Sequence, residues 1–492
     1  MASDLSNLLT KLLAATAFAW RREPVLPTPL TDIQWRAEAC RPGSILFFQC
    51  LDDGRDNAKL YRHYLVDGAF SVLVTNRMLD CFEALPNKGI FVTRPGDWLQ
   101  TVGRFCDLLY PLPEIAGGFL GITGTNGKTT TVKYLESILR TYGRWVLTVG
   151  TLGVSLNGEL LAQTGYTSPP QIELRRLLHA HRGRYDVAAM EVTSHALDQG
   201  RFHGIPLRNA GWTNFSRDHL DYHRDEAAYF AAKTRIFNLI QDGGQLFCTS
   251  LEVVSRLLEQ GTLPVPVQHL NAADPGPEAI VAKPFLALTH NRENYALAAA
   301  LADTLLGPEE RPYWRHLEAV DGRFECRVIG NRTLIVDFAH TPVALETLLT
   351  AIRRAFPKAS VLTLFGCGGN RDRGKRPLMG AAAARYSNYV ILTSDNPRSE
   401  DPERIIGDIL TGMPGTDWEA VVERPQAIAR LFDLLAEHPA DEPWVGLIAG
   451  KGHERYINRD GYETYYSDWD EVERNLRRLN WAPDRSPAHR LR

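Results

Sequence analysis

The sequence predicts an α/β protein in three domains, with a parallel central sheet carrying a phosphate loop and a doubly wound sheet in the C-terminal third. Three observations lead there. The 492-residue chain is too long for one ordinary core and, at roughly 150 residues per domain, divides into about three. From about residue 113 to 318, and again after Gly322, apolar strand-like segments alternate with helical ones, as in parallel sheets flanked by helices. The first strand of the middle stretch also runs directly into a glycine-rich loop.

Residues 1–112 form the expected N-terminal domain: an opening amphipathic helix, then short apolar runs such as SILFFQC and FSVLVTN, ending at the proline-bearing linker that starts at Tyr110. Leu8 to Trp20, followed by Arg21 and Arg22, imitates a signal peptide. Asp4 in place of a basic n-region, Lys11 inside the run, and the helical spacing of Leu5, Leu8, Leu9, Leu12 and Leu13 argue against that reading. Residues 113–318 form the expected nucleotide-binding domain, with strands GGFLGITG, RWVLTVG, DVAAMEV, NAGWTNF and GQLFC between helices TVKYLESILRTYG, QIELRRLLHAH and EAAYFAAKTRIFNLI. Residues 319–492 repeat the alternation with RTLIVDFA, ALETLLTAIRRAF, SVLTLFG, NYVILTSD and WVGLIAG. The proline- and arginine-rich tail after Trp481 reads as a solvated end.

Composition narrows the class. Apolar residues at 44%, charged residues at 23% and 29 prolines describe a globular chain. A net charge of −3 offers no global field for a polyphosphate backbone, so nucleic acid is not an expected partner and any phosphate must be held locally. No apolar run is long enough to span a bilayer. The seven cysteines (Cys40, Cys50, Cys81, Cys106, Cys248, Cys326, Cys367) are scattered and form no C-x-x-C pair, which suits reduced thiols in a cytosol.

The chemistry sits at the ends of the predicted strands. In GITGTNGKTT, Gly124, Thr125, Asn126 and Gly127 would bring backbone N–H groups to a phosphate. Lys128 would neutralise the β and γ phosphates, and Thr129 or Thr130 would offer a hydroxyl to Mg²⁺. The spacing departs from the common phosphate loop, since Ile122 occupies the place of the first glycine. MEVTSHALDQGR and TNFSRDHLDYH each close a strand with carboxylates and histidines. Mg²⁺ prefers hard oxygens, which makes Glu191 the natural protein ligand, with His219 completing a second site. His195, His203 and His223 read as loop-bridging side chains. Lys233, among alanines and aromatics, reads on its own as a solvated or snorkelling lysine.

Nine segments, GTNGKTT, MEVTSHALDQGR, TNFSRDHLDYH, AYFAAK, GRFE, VDFAHTP, GCGGNRDRGKRP, SDNPR and AGKGHE, occur in an order that resembles the Mur ligase family, in particular its UDP-N-acetylmuramoyl-tripeptide synthetases. The resemblance runs from Gly121 to Asp468. It implies an N-terminal domain for the UDP-sugar, a central ATPase and a C-terminal domain that brings the amino acid. It also implies ATP and Mg²⁺, a carboxylate activated as an acyl phosphate, and a place in peptidoglycan precursor synthesis, and so in cell shape and division. A cytoplasmic monomer is expected. By the same mapping Lys233 is the lysine the family carbamoylates, giving the metal an anionic oxygen ligand. Asn291 and Asn294 would meet the adenine, Asp337 the ribose and Arg323 the phosphates. Thr167, Ser168, Thr193, Gln199 and Arg201 would hold the UDP-muramoyl dipeptide.

DNPR resembles the family's diaminopimelate form rather than its lysine form, although taken alone it is an ordinary Asx-Pro turn. A second carboxylate on the amino acid suits an arginine fork. Arg371 and Arg398 would clamp carboxylate, with Asp395, Asn396 and Pro397 beside them and Asn396 orienting the head; Gly450 and Glu454 would meet the ammonium. The chain departs from the family pattern near its start, where Thr31-Asp-Ile-Gln-Trp lacks the usual serine and arginine. It departs again at Tyr166, where asparagine is usual, at Thr193 in place of serine, and in a short link from Cys248 to His290. The alternatives are a related ligase acting on another carboxylate outside wall synthesis, and a non-catalytic protein on the same scaffold.

Overall fold

The computed structural model describes residues 6–9, 11–12, 19–22, 29–50, 65, 68–83, 85, 87–94, 96–261, 263–276, 278–279, 283–307, 311–318, 320, 324–415, 417–439 and 441–481. Asp4, Leu5, Leu13, Arg323 and the tail beyond Trp481 lie outside them. Among the described residues no helix is long and apolar enough to cross a membrane, and none of the seven cysteines forms a disulfide.

The N-terminal sheet contains β1 (Ala19–Arg22), β2 (Asp32–Gln34), β3 (Ser44–Phe48), β4 (Val72–Thr75) and β5 (Gly89–Val92), in the order β1-β5-β4-β3-β2. β2 to β5 run parallel and β1 is an antiparallel edge. The apolar runs read from the sequence become β3 and β4, whose residues are almost all buried, as internal parallel strands require. In the opening helix Leu9 is buried and Leu12 packs on the same core, while Leu8 faces outward. That core also takes Val102 and Phe105 of the helix Trp98–Leu109, and Ile172 from the middle lobe.

The middle sheet comprises β6 (Gly118–Thr123), β7 (Val146–Gly150), β8 (Gly153–Leu156), β9 (Glu159–Ala162), β10 (Val187–Glu191), β11 (Leu207–Trp212), β12 (Leu246–Cys248) and β13 (Val267–His269). Their order is β13-β12-β11-β6-β10-β7-β8-β9. The first six in that order are parallel; β8 and β9 append an antiparallel meander that the sequence reading did not separate. β6 and β10 lie at the centre and are apolar and buried. That leaves their C-terminal ends as the place where polar side chains and helix N-termini meet.

The C-terminal sheet comprises β14 (Glu325–Ile329), β15 (Arg332–Asp337), β16 (Ser360–Phe365), β17 (Tyr389–Leu392), β18 (Trp418–Ala420) and β19 (Trp444–Ala449), in the order β14-β15-β19-β16-β17-β18, with only β14 antiparallel. A hairpin of β20 (Tyr456–Arg459) and β21 (Tyr462–Tyr465) follows. One continuous apolar core joins the two larger sheets. Leu135 and Ile138 of the helix Lys128–Thr141 and Leu297 of the helix Thr289–Leu306 belong to the same cluster as Leu317, Phe324, Ile335 and Leu345.

Candidate active site between the middle and C-terminal sheets

A cleft of about 1340 Å³ opens where the strand ends of the two larger sheets face each other. Its middle-lobe wall carries Thr125 to Thr129, Thr167, Ser168, Glu191, Thr193, Arg201 and His219; its C-terminal wall carries Phe338, His340, Arg371 and Glu454.

The phosphate loop leaves β6 with two glycines in left-handed conformations, Gly124 at φ +136° and Gly127 at φ +86°. A side chain at Gly124 would overlap Thr213 Oγ1, and one at Gly127 would overlap Asn294 Oδ1, so both close contacts demand glycine. Thr125 N donates to Asn214 O at 3.0 Å and Asn126 N to Asn214 Oδ1 at 2.9 Å, which ties the loop to the end of β11. Lys128 Nζ folds back to Gly124 O and Thr125 O, at 2.9 Å each. Thr129 Oγ1 donates to Glu191 Oε2 at 3.0 Å, while Thr130 is buried.

Glu191, at the end of β10, is 2% exposed and also accepts from Thr151 N at 2.8 Å and Thr151 Oγ1 at 3.1 Å. Its carboxylate therefore sits within one hydroxyl of the phosphate loop. Gly150 must stay small, because a Cβ there would overlap Glu191 Oε1.

Lys233 is 1% exposed, which corrects its reading as a solvated or snorkelling lysine. The helix Glu226–Thr234 turns that face onto the phosphate loop, where Nζ donates to Gly124 O at 2.7 Å and lies 4.7 Å from the Tyr229 ring centre. Lys128 and Lys233 thus share one carbonyl, and their nitrogens cannot be farther apart than those two distances laid end to end. Burial, and then the Lys128 charge, hold the Lys233 amine well below its ordinary pKa.

His219 stands on the cleft wall with a left-handed backbone, φ +54°, its N–H on Asp218 Oδ1 and its Nε2 3.5 Å from Asp218 Oδ2. Burial, with help from His195, Lys128 and Lys233, pushes the imidazole below its usual range despite Asp218. His195 packs against His219 at 4.8 Å and Tyr222 at 4.2 Å between centroids and also lines the cleft; burial chiefly lowers its pKa to about 4. His223 is buried on Ser194 Oγ at 3.0 Å, and His203 is exposed.

The residues expected to hold an acceptor form one hydrogen-bonded wall. Ser168 Oγ donates to Glu191 O at 2.7 Å and accepts from Thr193 N at 3.1 Å. Thr167 Oγ1 is 3.0 Å from Thr151 Oγ1, and Thr193 Oγ1 caps the helix Ser194–Asp198. Arg201 donates to Ser168 O at 2.5 Å and through Nε and Nη2 to Gln199 Oε1 at 3.0 and 2.8 Å.

The residues expected to hold an amino acid lie on the other side. Asn396 Nδ2 donates to Glu454 Oε2 at 2.9 Å. Arg398, with φ +52°, donates to Gly369 O at 2.8 Å, and burial, followed by the Arg371 charge, lowers its pKa. Arg371 Nη1 pairs with Asp221 Oδ2 of the middle lobe at 3.2 Å. The Pro397 carbonyl packs on Gly369, and Gly450, at φ +113°, is held close to Asp395 Oδ2. Arg371 and Glu454 line the cleft; Asp395, Asn396 and Arg398 stand behind that wall.

Asn291, Asn294 and Asp337 are set back from the cleft. Asn291 Nδ2 donates to Phe285 O at 2.9 Å, and Asn294 Oδ1 accepts from Thr131 Oγ1 at 3.3 Å. Asp337 accepts from Phe324 N and Ala339 N at 2.7 Å each.

The sequence reading passed over Lys451, although it quoted the motif that contains it. This lysine is fully buried and donates to Asn396 Oδ1 at 3.1 Å and Glu454 Oε2 at 2.9 Å, with Asp395 Oδ1 at 3.6 Å. It also passed over Arg424 and Asp468, a fully buried bidentate pair at 2.7 and 2.8 Å whose Arg424 Nη2 also holds Ala449 O. Each pair is distant in sequence or hidden inside a glycine turn, so no spacing rule flags it.

Profiles of the Mur ligase middle domain and of the Mur ligase glutamate ligase domain match residues 122–301 and 322–452. The chain is 36% identical over 478 residues to a UDP-N-acetylmuramoyl-L-alanyl-D-glutamate--2,6-diaminopimelate ligase of Synechococcus elongatus, covering 91% of this chain and 94% of that protein. A protein of the same name from Thermosynechococcus vestitus is 33% identical over 502 residues, covering 96% of this chain and 98% of its own length. A solved structure of a ligase of that name superposes with a TM-score of 0.56 at 24% identity, over 92% of this chain and 96% of the other.

Proposed function

Since this chain belongs to the Mur ligase family, we propose that it is an ATP-dependent amide ligase adding meso-diaminopimelate to UDP-N-acetylmuramoyl-L-alanyl-D-glutamate, a step of peptidoglycan precursor synthesis in the cytoplasm. The observation that carries the reading is the single cleft that joins the phosphate loop, the Glu191 wall and Arg371 with Glu454. A carboxylate is a poor electrophile until one oxygen becomes a leaving group. The D-glutamyl side-chain oxygen attacks the γ-phosphorus, ADP leaves, and the amino-acid nitrogen then attacks the acyl carbon, expelling phosphate and losing a proton. The protein's contribution is positioning and charge neutralisation.

The donor set fits Mg²⁺. Glu191 and Thr129 present hard oxygens 3.0 Å apart beside the glycine loop, the donor type Mg²⁺ prefers, and leave its remaining positions for phosphate oxygens and water. Glu191 and Thr129 would hold it, with His219 at a second position and Lys233, as a carbamate, adding an oxygen. When bound, the ion supplies positive charge against the phosphate oxygens. The depressed Lys233 pKa supports the carbamate reading, because only a neutral amine can attack CO₂; the nitrogen then loses a proton and leaves an anion. Lys128 neutralises the terminal phosphates. Thr167, Ser168, Thr193, Gln199 and Arg201 orient the acceptor, and Arg371, Asn396, Arg398 and Glu454 the amino acid. Asn291, Asn294 and Asp337 support the nucleoside.

Purified protein incubated with ATP, Mg²⁺ and the UDP-muramoyl dipeptide, with meso-diaminopimelate or L-lysine in parallel, tests this by phosphate release and product mass. Tripeptide with diaminopimelate only is the expected result. ATP binding without product from either amino acid rejects the acceptor and leaves a ligase for a different carboxylate.

A further inference from the structure

An amine that attacks an acyl phosphate enters as an ammonium and must lose a proton before its nitrogen has a lone pair to offer. On the C-terminal wall of the cleft stands an imidazole placed to take that proton. His340 follows the end of β15 and precedes Thr341, whose hydroxyl caps the helix Pro342–Ala355. It is half-buried and lines the cleft.

The ring is held in one tautomer. His340 Nδ1 lies 3.0 Å from Phe338 O. A carbonyl only accepts, so in the neutral ring Nδ1 carries the proton and Nε2 the lone pair. The backbone is pinned as well. Lys375 Nζ, from the first turn of the helix Lys375–Tyr386, donates to His340 O at 3.0 Å, and Gly450 N donates to Asp337 O at 3.1 Å. The Phe338 ring packs on the imidazole with centroids 4.5 Å apart.

The surrounding charges set His340 between the two halves of the reaction. Against burial, His219 and then His340 and Lys375 hold the Asp218 carboxyl below its ordinary range, so the imidazole faces the wall that carries the phosphate loop. Against burial, Lys451 and then Arg424, His340 and Lys375 do the same for Asp395, behind the amino-acid wall. Both carboxylates favour the imidazolium that proton transfer creates, and the Lys375 charge opposes it. On the opposite wall His195 packs on His219 at 4.8 Å, and His219 is taken by the metal position proposed above. His453, 4.9 Å from the Phe338 ring, is the competing imidazole on the same wall.

We infer that His340 is the general base of amide formation. Nε2 takes one proton from the reacting ammonium, and the nitrogen lone pair forms the C–N bond to the acyl carbon. The C–O bond to phosphate then breaks, and phosphate leaves with the bonding pair and a second proton, while the amide nitrogen keeps one hydrogen. This rests on the ligase reading proposed above and supplies the group that receives the proton.

The test uses the full chain with ATP, Mg²⁺ and the UDP-muramoyl dipeptide, adding either meso-diaminopimelate or hydroxylamine. Hydroxylamine is neutral at neutral pH and captures an acyl phosphate as a hydroxamate without help from a base. His340→Gln should lower the rate of tripeptide formation about a hundredfold, while KM for diaminopimelate stays within about threefold and hydroxamate formation within about twofold. The residual rate should climb with pH as more of the amine is neutral, and imidazole added to His340→Ala should restore part of the loss. Hydroxamate falling as far as tripeptide would place His340 in acyl-phosphate formation or in the fold, and a change in KM alone would make it a binding group. Either result overturns the inference, as does the selective loss appearing in His453→Gln and not in His340→Gln. If the parent gives neither hydroxamate nor tripeptide, the acceptor reading fails and the assignment fails with it.

Discussion

Lys233 shows how one residue's surroundings decide its chemistry. An ammonium buried beside Lys128 is unfavourable, so the unmodified folded chain sheds the proton that the unfolded chain keeps at its ordinary pKa, and that difference opposes folding at neutral pH. A folded pKa below the unfolded one means that stability rises with pH up to the ordinary lysine range. Lys233→Met should therefore abolish ligation while melting at or above the parent temperature at pH 7, and the gap should narrow as pH rises toward 10. Thermal melts of the unmodified protein across that range check the sign; a variant several degrees less stable at neutral pH would count against the depressed Lys233 pKa. Gly150 is the steric counterpart. Gly150→Ala would displace the Glu191 carboxylate, and a shift of about 1 Å at a reacting centre costs on the order of a hundredfold in rate. Single-turnover kinetics should show that loss with ATP affinity little changed.

At the scale of elements, the glycine turn after β19 works through Lys451. This lysine holds Asn396 and Glu454 in place and offsets the carboxylates of buried Asp395 and half-buried Glu454. Burial raises the Glu454 pKa and Lys451 opposes the rise. Lys451→Met should raise KM for the amino acid at least tenfold, leave KM for ATP within twofold, and make the amino-acid KM fall as pH rises, because loss of the Lys451 charge raises the Glu454 pKa further and the carboxylate regains its charge only at higher pH. A pH-independent KM in that variant would reject the role. The N-cap at Thr193 is a smaller device: Thr193→Ala should cost about 1 kcal/mol in stability, and Thr193→Ser should keep the cap, both readable by urea denaturation. These elements were partly legible. Periodicity located the central strands β6, β7, β10 and β11 because buried parallel strands are continuous apolar runs, whereas β8, β9, β20 and β21 are short, partly polar and set by pairing rather than pattern.

Across the whole molecule, two reciprocal ion pairs hold the middle and C-terminal lobes together, Arg371 with Asp221 and Arg217 with Asp372, at 3.2 Å each. Asp221 occupies the guanidinium proposed to receive a substrate carboxylate, so amino-acid binding and this contact compete. Exposed pairs are worth about 0–1 kcal/mol and weaken with salt. Asp221→Ala should tighten diaminopimelate binding roughly two- to fivefold at low salt. The advantage should shrink at high salt, as calorimetry at two ionic strengths would reveal. Unchanged affinity would show that Arg371 is not the shared group.

The sequence by itself determined the α/β class, the phosphate loop, the buried strands and the identity of most candidate side chains, because these depend on local periodicity and on residue types at short spacing. Only the tertiary structure decided that Lys233 is buried against Gly124, that Lys451 organises the pocket behind Glu454, and that Trp35 meets Tyr166. Those outcomes depend on which helix face turns inward and which lobes touch. The contacts involved join residues from separate elements, and no local pattern encodes them.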